Sequence, residues 1–366
     1  MEKSLIVIRL VLIYLTVLSR FRQGAGVWLL CLAILPFSLG YSQESKVERA
    51  RPMMGTMVEI TVFRDTSSPK EIKAGREPEE EAIELAFQAI SRVDGLMSNY
   101  KADSQLSLIN QQAGRDYVRV APEVLKVINM AIGIAELSGG AFDITVAPLV
   151  QLWGFHKKSG HMPPEEEIHK FLPLVNYKNI LIDQEKNRVK LKLPGMAIDL
   201  GGIAKGYAVD RAIEVLKNNG IQRALVNAGG DLFALGHPPT RKFWHLGIRH
   251  PFVPDRVVST LQVRDQAVAT SGNYENFFVL NGKRYSHILD PKTGQPIQGI
   301  ASVTVLAKTA LEADALATTV AVLGPQKGMD LLNSQPDTEG IIILDERNRP
   351  SYLLSPGLEG KLSFNF

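Results

Sequence analysis

Ala224-Leu-Val-Asn-Ala-Gly-Gly-Asp-Leu-Phe-Ala-Leu235 places two short apolar runs, 224–226 and 232–235, on either side of paired glycines. The glycines suit a bulge, a close backbone approach to a ligand, or a plain hairpin turn. Further strand candidates lie at Thr56–Phe63, 180–182, 189–193, 303–306 and 341–344, and several neighbours among them are joined by short turns. Parallel strands need long crossovers, so this spacing predicts an α+β fold with mixed, largely antiparallel sheets and packed helices. Within Thr56–Phe63, Val58, Ile60 and Val62 share one face. Helical periodicity predicts helices over 79–97, Pro122–Leu137, 203–218 and 310–323. The charged stretch 64–78 reads as a loop, and 161–173 as a surface excursion with a short helix.

The chain has 366 residues, 45% of them hydrophobic and 22% charged, which is the composition of a globular protein able to bury a sizeable core. The net charge of +3 is small for this length and the basic residues are interspersed with acidic ones, so nucleic acid is not an expected partner. A single cysteine, Cys31, offers neither a disulfide framework nor a thiolate metal cluster. Arg20 and Arg22 precede an apolar run over 27–39, with small residues at Ser38 and Gly40, in the pattern of a secretory signal. An earlier apolar run, 5–18, is broken by Arg9 and short for a membrane span. Residues 1–40 are therefore expected to be a signal peptide or an N-terminal membrane anchor, 41–50 a polar linker, and 51–366 one domain. Lipidation at Cys31 is not expected, because Leu30 precedes it.

Several turns carry chemistry. Thr309-Ala-Leu-Glu312 has the form of a capping box, in which the Thr hydroxyl and Glu carboxylate satisfy backbone donors at a helix start. Asp314 and Thr318, four apart on that helix, share a face with β-carbons about 5–6 Å apart. Both oxygens can then reach one hard cation, for which magnesium is the natural candidate; a capped, solvated helix face is the plainer reading. In Met196-Ala-Ile-Asp-Leu-Gly-Gly-Ile-Ala-Lys-Gly206 an apolar strand is expected to run through two glycines into a helix. Free N–H groups at such an entrance favour phosphate, and Lys205 adds positive charge, although the spacing matches neither the Rossmann nor the P-loop pattern. Tyr285-Ser-His-Ile-Leu-Asp-Pro-Lys-Thr-Gly294 reads as a short strand and an Asp-Pro-x-x-Gly turn, with His287 either structural or in acid-base work. Ala269-Thr-Ser-Gly-Asn273 reads as a small-residue turn. Tyr100, just past a helix, could stack on a flat ligand. Together these turns suit an anionic, dinucleotide-sized ligand beside a hard cation.

In their order along the chain, Arg51-Pro-Met-Met-Gly-Thr56, 97–100 with Asp103-Ser104, 140–143, 199–206, 227–231, Ser271-Gly272, 286–294 and 313–318 resemble the motifs of the ApbE-type FAD:protein FMN transferases. The resemblance runs from about Arg51 to beyond Leu323. It implies a single two-lobed catalytic domain. It also implies flavin contacts at Met54, Tyr100, Ala141, Phe142, Asp143, Asp199 and Lys205, with His287 and Ile288 near the flavin or phosphates. The metal ligands implied are Asp314, Thr318 and a backbone carbonyl placed at Gly202; related sequences often have Ser-Ala where this chain has Gly201-Gly202. The implied activity is magnesium-dependent transfer of FMN from FAD to a Thr or Ser hydroxyl through a phosphoester bond, with release of AMP.

A hydroxyl is a poor nucleophile at neutral pH and needs a group to take its proton, for which His287 is the candidate and Asp314 its competitor. The acceptor implied is an exported protein such as a subunit of a membrane redox complex. The enzyme would accordingly be periplasmic or attached to the outer face of the cytoplasmic membrane, with inner-membrane association possible. Two other functions share these residues: an FAD pyrophosphatase releasing free FMN and AMP, and a non-enzymatic FAD-binding protein.

Overall fold

The computed structural model describes residues 46–64, 78–155, 160–346 and 351–366, and the expectations for 1–40, 41–45 and 65–77 lie outside them. Its frame is an eight-stranded sheet in the order β1-β2-β6-β7-β10-β13-β14-β15, with every neighbouring pair antiparallel. The strands are β1 (Lys46–Met53), β2 (Thr56–Phe63), β6 (Ala224–Ala228), β7 (Asp231–Leu235), β10 (Gln266–Gly272), β13 (Ile300–Ala307), β14 (Glu339–Leu344) and β15 (Tyr352–Leu354). The expected α+β fold with largely antiparallel sheets is the fold observed. Smaller sheets are formed by β3 (Val118–Arg119), β5 (Arg188–Leu191) and β4 (Ile180–Asp183), by β8 (Trp244–Arg249) with β9 (Val257–Val263), and by β11 (Phe277–Leu280) with β12 (Lys283–Ser286).

Both faces of the large sheet are covered, which is why all eight residues of β13 are buried. On one face lie α1 (Pro78–Met97), α3 (Pro122–Leu137), α6 (Ala204–Asn218) and α7 (Ala310–Leu323), whose apolar residues join Val58, Ile60, Val62, Val303 and Val305 in the main core. On the other face Trp244, Val258 and Leu261 of the β8–β9 ribbon pack with Ala301, Leu306 and Ile343. A satellite cluster of Leu149, Trp153, Phe155, Ile168 and Leu289 gathers α4 (Ala147–Leu152) and α5 (Glu165–Phe171). The remaining helices are α2 (Gln105–Gln111) and α8 (Pro325–Ser334). Among the described residues no helix is long and apolar enough to cross a membrane.

Three local expectations are corrected. Lys46 to Ala50, inside the stretch read as a linker, belong to β1, because Val47 is buried and the strand pairs with β2 over its full length. Residues 269–272 are not a turn but the end of β10, paired with β13 beyond the point where the ladder to β7 stops at Val268; their small side chains let α7 lie close over the strand. Residues 196–200 form no strand. The Asn110 side chain satisfies both backbone groups of Ile198, accepting from its N–H at 2.7 Å and donating to its carbonyl at 3.0 Å, while Asp199 N–H donates to Ile144 O at 2.7 Å. A side chain thus takes the place that a strand partner would fill.

Candidate active site

Two hairpin tips build one wall of the site. Met54 (φ 52°) and Gly55 (φ 74°) form the two-residue turn between β1 and β2, a conformation that hairpins favour and a Met side chain rarely adopts. Between β6 and β7, Gly229 and Gly230 turn at φ 65° and 104°, so the paired glycines make a hairpin. A Cβ on Gly229 would collide with Thr56, so the glycine also lets the two tips touch. Asp231, the first residue of β7, is thereby placed at the site and is 2% exposed.

The opposite wall comes from α6 and α7. Helix α7 is buried on nearly all sides, and its start is held twice. Thr309 Oγ1 accepts from Glu312 N–H at 3.2 Å, and the Asp210 carboxylate, from α6, accepts from Ala310 N–H at 2.8 Å and Leu311 N–H at 2.9 Å. The Glu312 carboxylate accepts a hydrogen bond from the Thr309 hydroxyl at 2.9 Å, and not from a backbone donor as the capping-box reading expects. Gly206 lets the two helices meet: a Cβ there would collide with the Ala310 carbonyl, and its N–H donates to Asp314 Oδ2 at 3.0 Å.

These walls enclose a cavity of about 1510 Å³. That exceeds the ~300–1,000 Å³ of ordinary small-molecule pockets and suits a dinucleotide. All twelve residues expected at the site line it: Met54, Tyr100, Ala141, Phe142, Asp143, Asp199, Gly202, Lys205, His287, Ile288, Asp314 and Thr318. They are not equally free to bind. Asp143 Oδ1 accepts from Thr145 N–H (2.8 Å) and Oγ1 (2.6 Å), and Oδ2 from Tyr177 N–H (2.9 Å), so both oxygens are engaged within the protein. Asp199 Oδ1 accepts from Gly201 N–H at 2.7 Å and shapes the glycine turn. Tyr100 is 73% exposed at the cavity wall.

At the polar centre, Lys205 Nζ lies 2.6 Å from Asp231 Oδ2 and 3.6 Å from Asp314 Oδ1. Burial opposes the lysine's charge, yet the two carboxylates together hold its ammonium well above its ordinary value. Burial raises Asp314; burial and the charge of Asp314 raise Asp231. Burial pushes Glu275 up to about 7, with Asp314 adding to the rise and Lys205 opposing it. Three acidic groups crowd one ammonium, and the upward shifts show that ionising all of them is disfavoured, a cost that a hard cation would relieve.

The donor set fits such a cation. Thr318 Oγ1 is 3.1 Å from Ser271 Oγ, and a Cβ built on Gly202 would lie 3.2 Å from Thr318 Oγ1, so turn, hydroxyl and carboxylate helix adjoin. Among the described residues no three His, Cys, Asp or Glu side chains cluster as a metal site. A cation here would rest on mixed carboxylate, hydroxyl and carbonyl oxygens, a set that suits magnesium better than zinc.

His287 Nδ1 is 2.9 Å from the Asn276 carbonyl, which can only accept, so Nδ1 carries the proton and Nε2 keeps its lone pair. Burial, helped by the positive charge of Lys205, lowers the ring to about 4 and keeps it neutral. Ser271 and Glu275 also line the cavity, Asp231 reaches its polar centre through Lys205, and none of the three was among the expected site residues. Ser271 and Asp231 lie inside motifs picked out by their glycines; nothing in the sequence around Glu275 signals its place.

The fold and cavity define an α+β protein with an acidic, hard-cation-ready site for an anionic, dinucleotide-sized ligand. The ApbE family profile matches residues 54–342, and the chain belongs to the ApbE family. It is 36% identical over 275 residues to the FAD:protein FMN transferase of Klebsiella pneumoniae, covering 74% of this chain and 84% of that protein. To the FAD:protein FMN transferase of Vibrio cholerae it is 35% identical over 307 residues, covering 82% and 89%. The solved flavin transferase ApbE from Vibrio cholerae superposes with a TM-score of 0.75 at 30% identity, over 86% of this chain and 99% of that one. The ApbE protein of Thermotoga maritima superposes with 0.77 at 34%, over 86% and 98%.

Proposed function

We propose that this protein transfers the FMN half of FAD to a Thr or Ser hydroxyl of an exported protein and releases AMP. The observation that carries the reading is the convergence, on one dinucleotide-sized cavity, of a neutral His287 and the oxygens of Asp314 and Thr318. The acceptor oxygen attacks the FMN phosphorus and a phosphoester bond forms. The bond from that phosphorus to the bridging oxygen breaks, and AMP leaves with the oxygen. The hydroxyl proton passes to His287 Nε2.

A base held near 4 is weak, so it takes the proton late, as the new P–O bond makes the hydroxyl acidic. The competing base, Asp314, has one oxygen bonded to Gly206 N–H and the other facing Lys205, which favours His287. Asp314, Thr318 and the Gly202 carbonyl are the groups that would hold magnesium, whose charge, when bound, offsets that of the pyrophosphate. Lys205 adds a fixed positive charge. The exposed Tyr100 ring and the Met54 and Phe142 side chains offer apolar surface for the flavin.

Purified protein is incubated with FAD and magnesium, with and without an acceptor protein, while AMP, free FMN and covalent flavin are followed. Covalent flavin formed in step with AMP supports transfer. Free FMN and AMP without labelling assign a pyrophosphatase, and retention of FAD without turnover assigns a binding protein. Export, proposed from Arg20, Arg22 and the apolar run that follows them, is checked by cell fractionation; recovery of the whole chain in the cytoplasm refutes it.

A further inference from the structure

The β11–β12 hairpin borders the cavity as a two-stranded sheet of its own, and its two faces differ. Phe278 and Tyr285 are cross-strand neighbours whose rings stack at 5.0 Å and 9°. They pack on the satellite core, with Trp153 6.3 Å from Phe278 and 6.1 Å from Tyr285, and Phe155 5.6 Å from Phe278. Strand alternation puts Phe277 and Val279 on the opposite face, across from Ser286 and Arg284. There Val279 is 59% exposed and Phe277 39%, with the Arg284 guanidinium 4.4 Å from the Phe277 ring centre.

This outer face is continuous with the chemistry. Phe277 lines the cavity, and β12 runs straight from Ser286 into His287, whose backbone N–H and ring Nδ1 both reach the Asn276 carbonyl, at 3.0 and 2.9 Å. A folded protein cannot enter a cavity of about 1510 Å³ that also takes FAD. Only the segment bearing the hydroxyl can reach in, so the rest of the acceptor must rest on the rim beside His287. The rim at that place is the outer face of this hairpin, where Phe277 and Val279 stand exposed beside Arg284, and exposed apolar side chains next to a reacting group suit a partner contact.

We propose that the outer face of the β11–β12 hairpin docks the acceptor protein, through an extended segment whose uncharged, apolar side chains flank the accepting hydroxyl and cover Phe277 and Val279. An extended segment suits the task, because alternate side chains can point one way into the cavity and the other way along the rim. The proposal rests on the transfer reading above and names the surface that reading requires.

Val279 stands outside the cavity wall and is the position to change. Val279→Asp is compared with the unaltered protein and with Leu280→Asp, at the same hairpin tip but on the other face. The probe is the purified, flavin-free protein that the Vibrio cholerae transferase labels, supplied with FAD and magnesium. Val279→Asp is expected to raise the KM for the acceptor at least about tenfold, the scale of one lost interface anchor. The KM for FAD and the acceptor-free hydrolysis of FAD should stay within about twofold, and Leu280→Asp should leave the acceptor KM unchanged. An unaltered acceptor KM in Val279→Asp, an equal loss in both variants, or a parallel change in the KM for FAD overturns the proposal. If the unaltered protein splits FAD but labels no acceptor, the transfer reading itself falls and takes this proposal with it.

Discussion

At the scale of single residues, the site works by burying charge beside groups that answer it. His287 is neutral because burial and the charge of Lys205 disfavour a proton on the ring, and its Nδ1 bond to Asn276 leaves Nε2 to act. His287→Ala should lower covalent flavin formation by about 10²–10⁴-fold, the usual worth of a positioned base, while FAD still binds in a fluorescence titration. Unchanged labelling would remove His287 from the proton transfer. The pH dependence follows from the same environment. A base whose ring is lowered to about 4 stays active as pH falls through the ordinary histidine range and is lost only near 4. Initial rates measured over that range should therefore show no loss centred near 6.5 that disappears in His287→Ala. The residues around it were partly legible in sequence. Asp314 and Thr318 are paired by helical spacing alone, whereas Asp231 shows only through the glycines before it and Glu275, in the turn after β10, carries no local signal.

At the scale of elements, the cavity depends on how closely α6 and α7 approach. Gly206 is fixed by contact and not by conformation: its N–H reaches Asp314 while a side chain there would meet the Ala310 backbone. Gly206→Ala should force the helices apart and destabilise the fold at the upper end of about 1–3 kcal/mol, with loss of transfer even below the new Tm. Chemical unfolding and activity assays on one preparation check both parts. Asp210 holds the start of α7 through two backbone N–H groups, and Asp210→Ala should cost about 1–2 kcal/mol in the same unfolding assay. Burial raises Asp210 to about 6, so the folded protein binds this proton more tightly than the unfolded chain. Its contribution to stability is then full below the ordinary aspartate value and lost as pH rises through about 6. Asp210→Asn should flatten the Tm profile between about pH 4 and 6, and an unchanged slope would assign that slope to other groups. The helices themselves were readable, since 79–97, Pro122–Leu137, 203–218 and 310–323 fall within a residue of the observed bounds. What misled was Ala269 to Gly272, where small side chains look like a turn but serve a central strand under a close-packed helix.

At the scale of the whole molecule, one sheet covered on both faces carries the site at the hairpin tips and helix starts along its margin. Residues 44–366 form a compact unit with its own core. A chain beginning at Glu44 should fold cooperatively and split FAD in the presence of magnesium; failure to fold, seen by circular dichroism and thermal melting, would show that earlier residues are part of the fold. The fold class and the principal helices were legible in the sequence, and the motif resemblance named twelve of the residues that line the cavity. Fold class and helices are written in local spacing: alternation for strands, a period near 3.6 for helices, and glycines where the backbone must turn tightly. Three-dimensional packing was needed to show that Asp231, Glu275 and Lys205 are electrostatically linked to Asp314, that Asn110 stands in for a strand beside Ile198, and that the β11–β12 hairpin leaves Phe277 and Val279 exposed beside His287. The physical reason is that burial and electrostatic coupling depend on distance in space, and separation along the chain does not reveal it.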